Sequence, residues 1–360
     1  MKRITRYVLF TLVASGLFLF GLKSCDSGPS LQVWHKVKLT EEFAEKKADV
    51  VQSFSDYLAL EQRLFRQLDE KVYAKSATGP DYALVRYSTG SAADPKRRQP
   101  NWNRSFELPA ESAVGGVLLL HGMSDSPYSL RMLGKALNQR GFQVIGLRMP
   151  GHGTAPSGLR YVRWQDMAAA VTLAMKHLAA ELGNKPVHII GYSTGAPLAM
   201  NFALDSLEDE AMATPASLVL VSPAIRVHPT SALAGFKNSL SALPGLSGLA
   251  YLSVMDEFDP YKYNSFATNA GAQVHHITRR VDQRIQSLAQ NPSMRDKLPP
   301  ILVFKSTVDS TVTTDAVIDN LLLHLPAASN ELVLFDINRN AAIKSTFLVS
   351  DPGPLTNRLM

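Results

Sequence analysis

The sequence predicts an α/β protein: a mostly parallel sheet with helices on both faces and a helical lid inserted late in the chain. Two observations support this prediction. From residue 115 onward, short apolar runs alternate with longer amphipathic segments, as expected when crossover helices connect parallel strands. The segment at about 226–300 interrupts this alternation and is rich in Ser, Gly, Leu and Tyr, which indicates the insertion.

The individual elements follow from the same alternation. Buried strands are predicted at residues 116–120, 142–147, 187–190, 218–221, 301–304 and 332–335. Helices are predicted at about 126–140, 163–182, 196–207 and 314–325, two of them closed by a glycine. Together these elements make up a main domain at 113–360, which contains the lid at 226–300.

The composition is that of a globular protein. The chain has 360 residues, of which 46% are hydrophobic and 19% charged, and this excludes collagen-like, coiled-coil, polytopic membrane and wholly disordered proteins. The net charge of +6 is a mild excess without a run of like charges, so no nucleic-acid partner is expected. A single cysteine, Cys25, excludes an internal disulfide framework and any Cys-rich zinc module.

Residues 1–25 are predicted to be a signal or anchor segment. Three basic residues, Lys2, Arg3 and Arg6, precede an uncharged run at 7–22, which is the layout of a secretory signal. This run is slightly shorter than the roughly 20 residues of a membrane-spanning helix.

Three interpretations of this segment remain open: a cleaved signal peptide, an uncleaved anchor and a bacterial lipoprotein signal. The last makes Cys25 the lipidation candidate, because residues 22–25 resemble a lipobox except at Lys23. We favour an anchor or lipoprotein over free secretion. Each interpretation places the rest of the chain in the bacterial cell envelope, periplasmic or attached to the membrane through this segment.

Residues 26–112 are predicted to form a helical extension followed by the first strand or strands. Residues 26–39 resemble a linker. Between residues 40 and 75, apolar residues that include Phe43, Val50 and Phe54 recur at helical spacing, so one long helix or two shorter ones are expected. Residues 104–108 are a candidate edge strand.

The motif with the most chemical content is Gly191-Tyr-Ser193-Thr-Gly195, which lies between a predicted strand and a predicted helix. In that context G-x-S-x-G forms a nucleophile elbow, a turn so tight that its glycines avoid steric collision. Ser193 is therefore the candidate nucleophile. The negative charge that develops on the attacked carbonyl oxygen in the transition state would be stabilised by two backbone amides, for which Thr194 and Met123 are the candidates.

The loop that contains Met123 begins with His121-Gly122, at the end of an earlier strand. We interpret His121 as a hydrogen-bonded loop histidine beneath the site rather than as a general base.

Residues 115–335 resemble the α/β-hydrolase superfamily, in particular its monoacylglycerol lipase and serine aminopeptidase-like branch. The resemblance rests on His121-Gly122, Gly141-Phe142, the Pro150-Gly-His-Gly153 loop and the elbow at 191–195, in that order. It implies the α/β-hydrolase fold, activity on acyl esters, no metal and no organic cofactor. It also implies that His152 is structural and that an acid follows the strand at 301–304, where Asp309 lies. Asp315 begins the next helix and has an ordinary capping role.

The resemblance also implies a histidine after the strand at 332–335, and the sequence contains none after His324. We interpret His324 as a core or boundary histidine of an apolar helix, and the lid pair His275 and His276 could reach the site only through an unusual arrangement. Two explanations remain open: the chain is incomplete or altered at its C-terminus, or the protein has lost hydrolysis. We favour the first.

The leading functional hypothesis is a serine hydrolase that cleaves carboxylic esters with a lipid-like acyl group through an acyl-enzyme. Apolar lid residues would line the mouth of the site, namely Leu240, Leu243, Leu246, Leu249, Tyr251 and Leu252, although ordinary lid packing explains them equally well. The alternatives are an acyltransferase and a non-catalytic binding protein at the membrane. The sequence leaves the oligomeric state open.

Overall fold

The computed structural model describes residues 29–226, 237–241, 243, 246–307, 309, 312–335 and the isolated residues 15, 16 and 358. Apart from residues 15 and 16, the predicted signal or anchor segment with Cys25 therefore lies outside the described residues. Within the described part of the chain, no helix combines the length and the apolar character that a membrane crossing requires.

A seven-stranded sheet forms the centre of the described structure. Its strands are Phe106–Leu108 (β1), Gly115–Leu120 (β2), Phe142–Leu147 (β3), Val187–Tyr192 (β4), Ser217–Val221 (β5), Ile301–Ser306 (β8) and Asn330–Phe335 (β9). They lie side by side in the order β1-β3-β2-β4-β5-β8-β9. Only β1 is antiparallel to its neighbour, and the pairs from β3 to β9 are parallel. The mostly parallel sheet is thus confirmed.

Helices connect the strands and cover both faces of the sheet. Their bounds are Val33–Lys36 (α1), Phe54–Lys71 (α2), Arg131–Asn138 (α3), Trp164–Leu182 (α4), Gly195–Glu208 (α5), Thr268–Ala289 (α6), Pro292–Arg295 (α7) and Thr314–Asn320 (α8). Along β2, Leu118 and Leu120 join a core that contains residues of α4 and α5. Val117 and Leu119 join a second cluster with Leu130, on the other face.

The described residues of the insertion between β5 and β8 are only partly helical. They form α6, α7 and a small antiparallel sheet of two strands, Tyr251–Ser253 (β6) and Phe266–Ala267 (β7). Residues 227–236, 242, 244 and 245 of the insertion lie outside the described part of the chain. The insertion packs on α5 through α6. Its residues Leu252, Phe266 and Val274 line the same cavity as the residues that follow β2 and β4.

The predicted helix at 40–75 is wrong in its first part, because α2 begins at Phe54. Ser53 stops the helix from extending backward: its hydroxyl accepts a hydrogen bond from the Asp56 N–H, and the Asp56 carboxylate accepts one from the Ser53 N–H. Val50, predicted to face the core, is 81% exposed, whereas Phe43 is buried from a non-helical segment.

The linker prediction is also wrong for residues 29–39, the part of it that the structure describes. Trp34 is buried and stacks on Tyr87 with ring centroids 5.0 Å apart. His35 is buried too, and its Nε2 lies 3.0 Å from the Ser265 hydroxyl of the insertion. This part of the extension is therefore packed onto the rest of the molecule.

A buried arginine ties the extension to the sheet. Arg148 follows β3 and is 1% exposed, and its guanidinium pairs with Glu61 of α2 at 2.9 Å and with Glu42 at 3.0 Å. Tyr57 donates a hydrogen bond to the Arg148 carbonyl. Two carboxylates therefore compensate the charge that burial would otherwise make costly.

Removing one of these carboxylates should destabilise the fold strongly. Glu61→Gln leaves the buried guanidinium with Glu42 as its remaining carboxylate partner, and we expect it to lower the free energy of unfolding by about 3 kcal/mol. Urea denaturation at pH 7 measures this loss. Glu41→Gln breaks an exposed pair with Arg63 and should cost less than about 1 kcal/mol; equal losses in the two variants would contradict the role assigned to the buried pair.

Candidate active site

The elbow has the geometry that the sequence motif predicts. Ser193 lies in the turn between β4 and α5 with a backbone φ of +52°, a value that residues other than glycine rarely adopt. A Cβ atom on Gly191 would lie 2.5 Å from the Gly195 carbonyl oxygen, and one on Gly195 would lie 2.2 Å from the Leu120 carbonyl oxygen. Both clashes are with backbone, so only glycine fits at either position.

Ser193 opens onto a cavity of about 830 Å³. The four residues predicted for the site come from three separate parts of the sequence, and all of them line this cavity: Met123, Ser193, Thr194 and Asp309. The loop after β2 lies directly beside the elbow, because a Cβ on Gly122 would be 3.2 Å from the Cβ of Ser193. The fold thus brings the predicted residues together.

Two backbone donors of this cavity are free within the described part of the chain. No described residue accepts a hydrogen bond from the N–H of Met123 or of Thr194. Thr194 occupies the N-cap position of α5, where the helix dipole adds positive potential. A negatively charged oxygen beside Ser193 would therefore meet donors that need no other bond to be broken.

Asp309 lies at the carboxyl end of the sheet with both carboxylate oxygens engaged. Lys305 of β8, which is fully buried, pairs with its Oδ2, and the Val312 N–H donates to its Oδ1 at 3.2 Å. Lys305 also donates to the Val312 carbonyl, so it fixes the loop that carries Asp309. Sequence inspection missed Lys305; the available signal was a cation directly after four apolar strand residues.

His121 and His152 are structural, as expected. Both are fully buried; His121 accepts a hydrogen bond from the Met149 N–H at 3.1 Å, and its other ring nitrogen faces the Gly122 carbonyl. Burial lowers the pKa of His121 well below its usual range and lowers the pKa of His152 to about 4. Both rings are therefore neutral at pH 7.

None of the histidines that the structure describes lines the cavity. These are His35, His121, His152, His177, His188, His275, His276 and His324. His275 and His276 lie on α6, whose Gly271 and Val274 do line it. His228 lies outside the described residues. The general base that the motif requires is thus not found among the described residues of this cavity.

The apolar wall differs from the predicted one. Of the six predicted lid residues only Leu252 lines the cavity, while Leu246, Leu249 and Tyr251 are buried in the packing of the insertion. Instead, the apolar surface comes from residues spread over several elements, namely Met123, Ala224, Phe266, Val274 and Val312. Asp125, Lys262 and Asn264 add polar groups, and burial raises the pKa of Asp125.

The fold and this site define the chain as an α/β-hydrolase. Residues 111–336 match the family described as serine aminopeptidase, S33, and since this match covers more than half of the chain, the protein belongs to that family. It is thereby a member of a hydrolase family.

Curated relatives match short parts of the chain. A thermostable monoacylglycerol lipase of Bacillus sp. (strain H-257) is 31% identical over 26% of this chain and 37% of its own length. The magnesium-chelatase 30 kDa subunit of Rhodobacter capsulatus is 34% identical over 32% of this chain and 39% of its own length. A carboxylesterase of Bacillus subtilis (strain 168) is 34% identical over 22% of this chain and 32% of its own length. The chain thus spans between 32% and 39% of the length of these curated relatives.

A solved structure of metagenome-derived lipolytic enzymes, LipS and LipT, shares the fold. It superimposes with a TM-score of 0.52 at 20% identity, covering 65% of this chain and 88% of its own. At this identity the similarity supports the fold alone.

The buried His152 predicts a specific pH dependence of stability. Because its pKa falls to about 4 in the folded state from 6.5, the unfolded chain binds the proton first as the pH falls. The stabilisation from the neutral ring is complete above pH 6.5 and is lost as the pH falls toward 4. His152→Gln should therefore reduce the stability difference between pH 7 and pH 5 by about 2 kcal/mol in urea denaturation.

The matched control is His276→Gln, at an exposed position on α6. Replacement of this exposed imidazole gives the baseline against which the change in His152→Gln is measured. An unchanged difference in His152→Gln would contradict the buried neutral ring.

Proposed function

We propose that the protein is a serine hydrolase that cleaves carboxylic esters with a lipid-like acyl group. The observation that carries this proposal is the conformation of Ser193, held at a positive φ in a cavity where the amides of Met123 and Thr194 are free among the described residues. The Ser193 Oγ would attack the ester carbonyl carbon, and the two amides would bind the resulting oxyanion. The bond to the leaving alcohol would then break, and water would release the acyl group from Ser193.

The lining of the cavity supports an acyl chain as the bound group. Phe266, Val274 and Val312 offer apolar side chains beside the elbow, and a cavity of about 830 Å³ is within the range of small-molecule sites. An apolar chain placed there would leave water, which favours its binding. No organic cofactor is needed for this chemistry.

The reaction requires a base that takes the Ser193 proton and passes it to the leaving alcohol. Asp309 is proposed as the carboxylate that orients a histidine and stabilises its charged form. The described lining of the cavity supplies no such histidine, and this favours a second candidate, a non-catalytic binding protein that retains the fold. An acyltransferase would use the same groups with an alcohol in place of water.

A fluorophosphonate probe separates these candidates. An activated Ser193 should be labelled covalently, and Ser193→Ala should abolish the adduct that mass spectrometry maps to this residue. Ser239→Ala, outside the cavity lining, is the matched control and should keep it. A folded protein that forms no Ser193 adduct would favour the binding protein.

Imidazole tests the missing base directly. If Ser193 lacks an imidazole partner, added imidazole should raise its labelling rate in proportion to imidazole concentration, because the free base replaces the absent one. N-Methylmorpholine, an amine of similar basicity to imidazole and a different shape, serves as the control for a general effect of buffer. Labelling that is fast without imidazole and insensitive to it would show that the chain already provides the base.

We further propose a location in the bacterial cell envelope, supported by the sequence at residues 1–25. The basic start, the uncharged run and Cys25 together support attachment to a membrane. Growth with an alkyne-tagged fatty acid should label the protein, and Cys25→Ser should abolish the label, whereas Ser27→Ala should keep it. An unlabelled protein that remains in the membrane fraction would favour the uncleaved anchor.

A further inference from the structure

We propose that Arg86, in the N-terminal extension, is a positioning residue for the oxyanion site. It would act through the loop at residues 257–265 of the insertion, which we call the clamp loop. The proposal rests on the proposed function, since it concerns how the amide of Met123 is held. It adds to the site a residue that lies before the family-matched segment at 111–336.

The clamp loop contacts the oxyanion loop directly. The Tyr263 N–H donates a hydrogen bond to the Ser124 carbonyl at 2.8 Å. Ser124 follows Met123 and has a φ of +65°, so its backbone is held in a rarely populated conformation. A second contact joins the same regions, because the Tyr128 and Tyr261 rings stack 3.7 Å apart and nearly parallel.

Tyr263 is itself fixed on its other sides. Its hydroxyl accepts a hydrogen bond from the Thr154 N–H at 2.8 Å and donates one to the Gly151 carbonyl at 3.2 Å. The residue is buried and lines the cavity beside Ser193. A shift of Tyr263 would therefore displace Ser124 and change the shape of the cavity wall.

Arg86 holds the clamp loop at several points. Its backbone N–H donates to the Glu257 carbonyl at 2.7 Å, and its Nη1 lies 3.5 Å from the Asp259 carbonyl and 3.4 Å from the Lys262 carbonyl. The guanidinium also lies 5.3 Å from the centroid of the Tyr263 ring, within the range of a cation–π contact.

The other arm of Arg86 reaches the main domain. Its Nη2 donates to the Asn103 side-chain oxygen at 3.1 Å and to the Gly153 carbonyl at 3.3 Å. Asn103 in turn donates to the Pro260 carbonyl at 2.8 Å. The planar fork of one arginine thus joins the extension, the loop after β3 and the clamp loop.

The clamp loop can transmit this constraint because it is internally bonded. The Glu257 carboxylate accepts hydrogen bonds from the N–H groups of Asn264 and Ser265, and the Asn264 side chain accepts from the Phe258 N–H. These bonds tie the two ends of the loop together. The loop is therefore expected to move as one unit.

Burial makes Arg86 difficult to replace. It is 1% exposed, and no carboxylate among the described residues lies within ion-pair distance of it. Its Nη1 and Nη2 groups are met by the carbonyl and amide oxygens of the segments it joins, and its Nε has no hydrogen-bond partner among the described residues. Lysine keeps the charge but offers a compact ammonium in place of a fork, so it cannot serve both sets of acceptors.

The test compares Arg86→Lys with Arg63→Gln, an exposed arginine of the same extension. In fluorophosphonate labelling, Arg86→Lys should lower the maximal rate of Ser193 modification by about tenfold, because a displaced Met123 amide stabilises the transition state less. The probe concentration at half-saturation should change less than about twofold. Arg63→Gln should match the parent protein. A parent-like maximal rate in a folded Arg86→Lys variant would overturn the proposal.

Tyr263→Phe provides a second variant, which removes the hydroxyl contacts and keeps the ring. It should lower the maximal rate in the same direction. A rate equal to that of the parent in both Tyr263→Phe and Arg86→Lys would exclude the route through the clamp loop.

Hydrogen exchange distinguishes failure of this proposal from failure of the proposed function. Arg86→Lys should accelerate exchange of the Tyr263 amide by about tenfold relative to Arg63→Gln, whether or not Ser193 reacts. If the parent protein forms no Ser193 adduct, the proposed function fails. The exchange rate of the Tyr263 amide still tests whether Arg86 holds the clamp loop in place. Unchanged exchange at Tyr263 would refute the positioning role.

Discussion

The close contact between the elbow and strand β2 is the constraint on which the site depends. Gly195 packs so tightly against the Leu120 carbonyl that no Cβ fits, and Gly191 meets the backbone of α5 in the same way. These contacts force Ser193 into a positive φ. The backbone of Ser193 cannot leave this conformation without separating α5 from the sheet. The position of the Ser193 side chain is therefore determined by packing in the core rather than by the loop alone.

The rest of the site is arranged around this fixed point. β2 ends beside β4, so the loop that carries Met123 begins next to Ser193, and β8 ends two strands away, where Lys305 secures Asp309. Parallel strands bring all of these loops to one edge of the sheet. The insertion then closes the cavity, and the extension supports the insertion through Arg86 and the sheet through Arg148.

The parts that could be predicted from the sequence depend on short-range patterns. The alternation of apolar runs and helices gives the sheet, and Gly191-x-Ser193-x-Gly195 between a strand and a helix gives the elbow. The start of α2 could also have been predicted, because Ser53 and Asp56 form a capping box. The longer apolar periodicity at 40–75 instead favoured a helix that begins earlier. Here a local hydrogen bond overrides the hydrophobic pattern.

The parts that could not be predicted depend on distant contacts. The burial of Trp34 and of the charged Arg86 and Arg148 arises only when partners far along the chain come together, and a charged residue is ordinarily expected at the surface. The apolar wall is a similar case. Leu246 and Leu252 look alike in sequence, yet the first packs within the insertion and the second faces the cavity.

The most direct test of the central claim is a crystal structure of the protein after reaction with an alkyl phosphonate. We predict a phosphorus atom bonded to the Ser193 Oγ and a phosphoryl oxygen within hydrogen-bond distance of the amide nitrogens of both Met123 and Thr194. An adduct on another residue, or one at Ser193 whose oxygen contacts neither amide, would contradict the account.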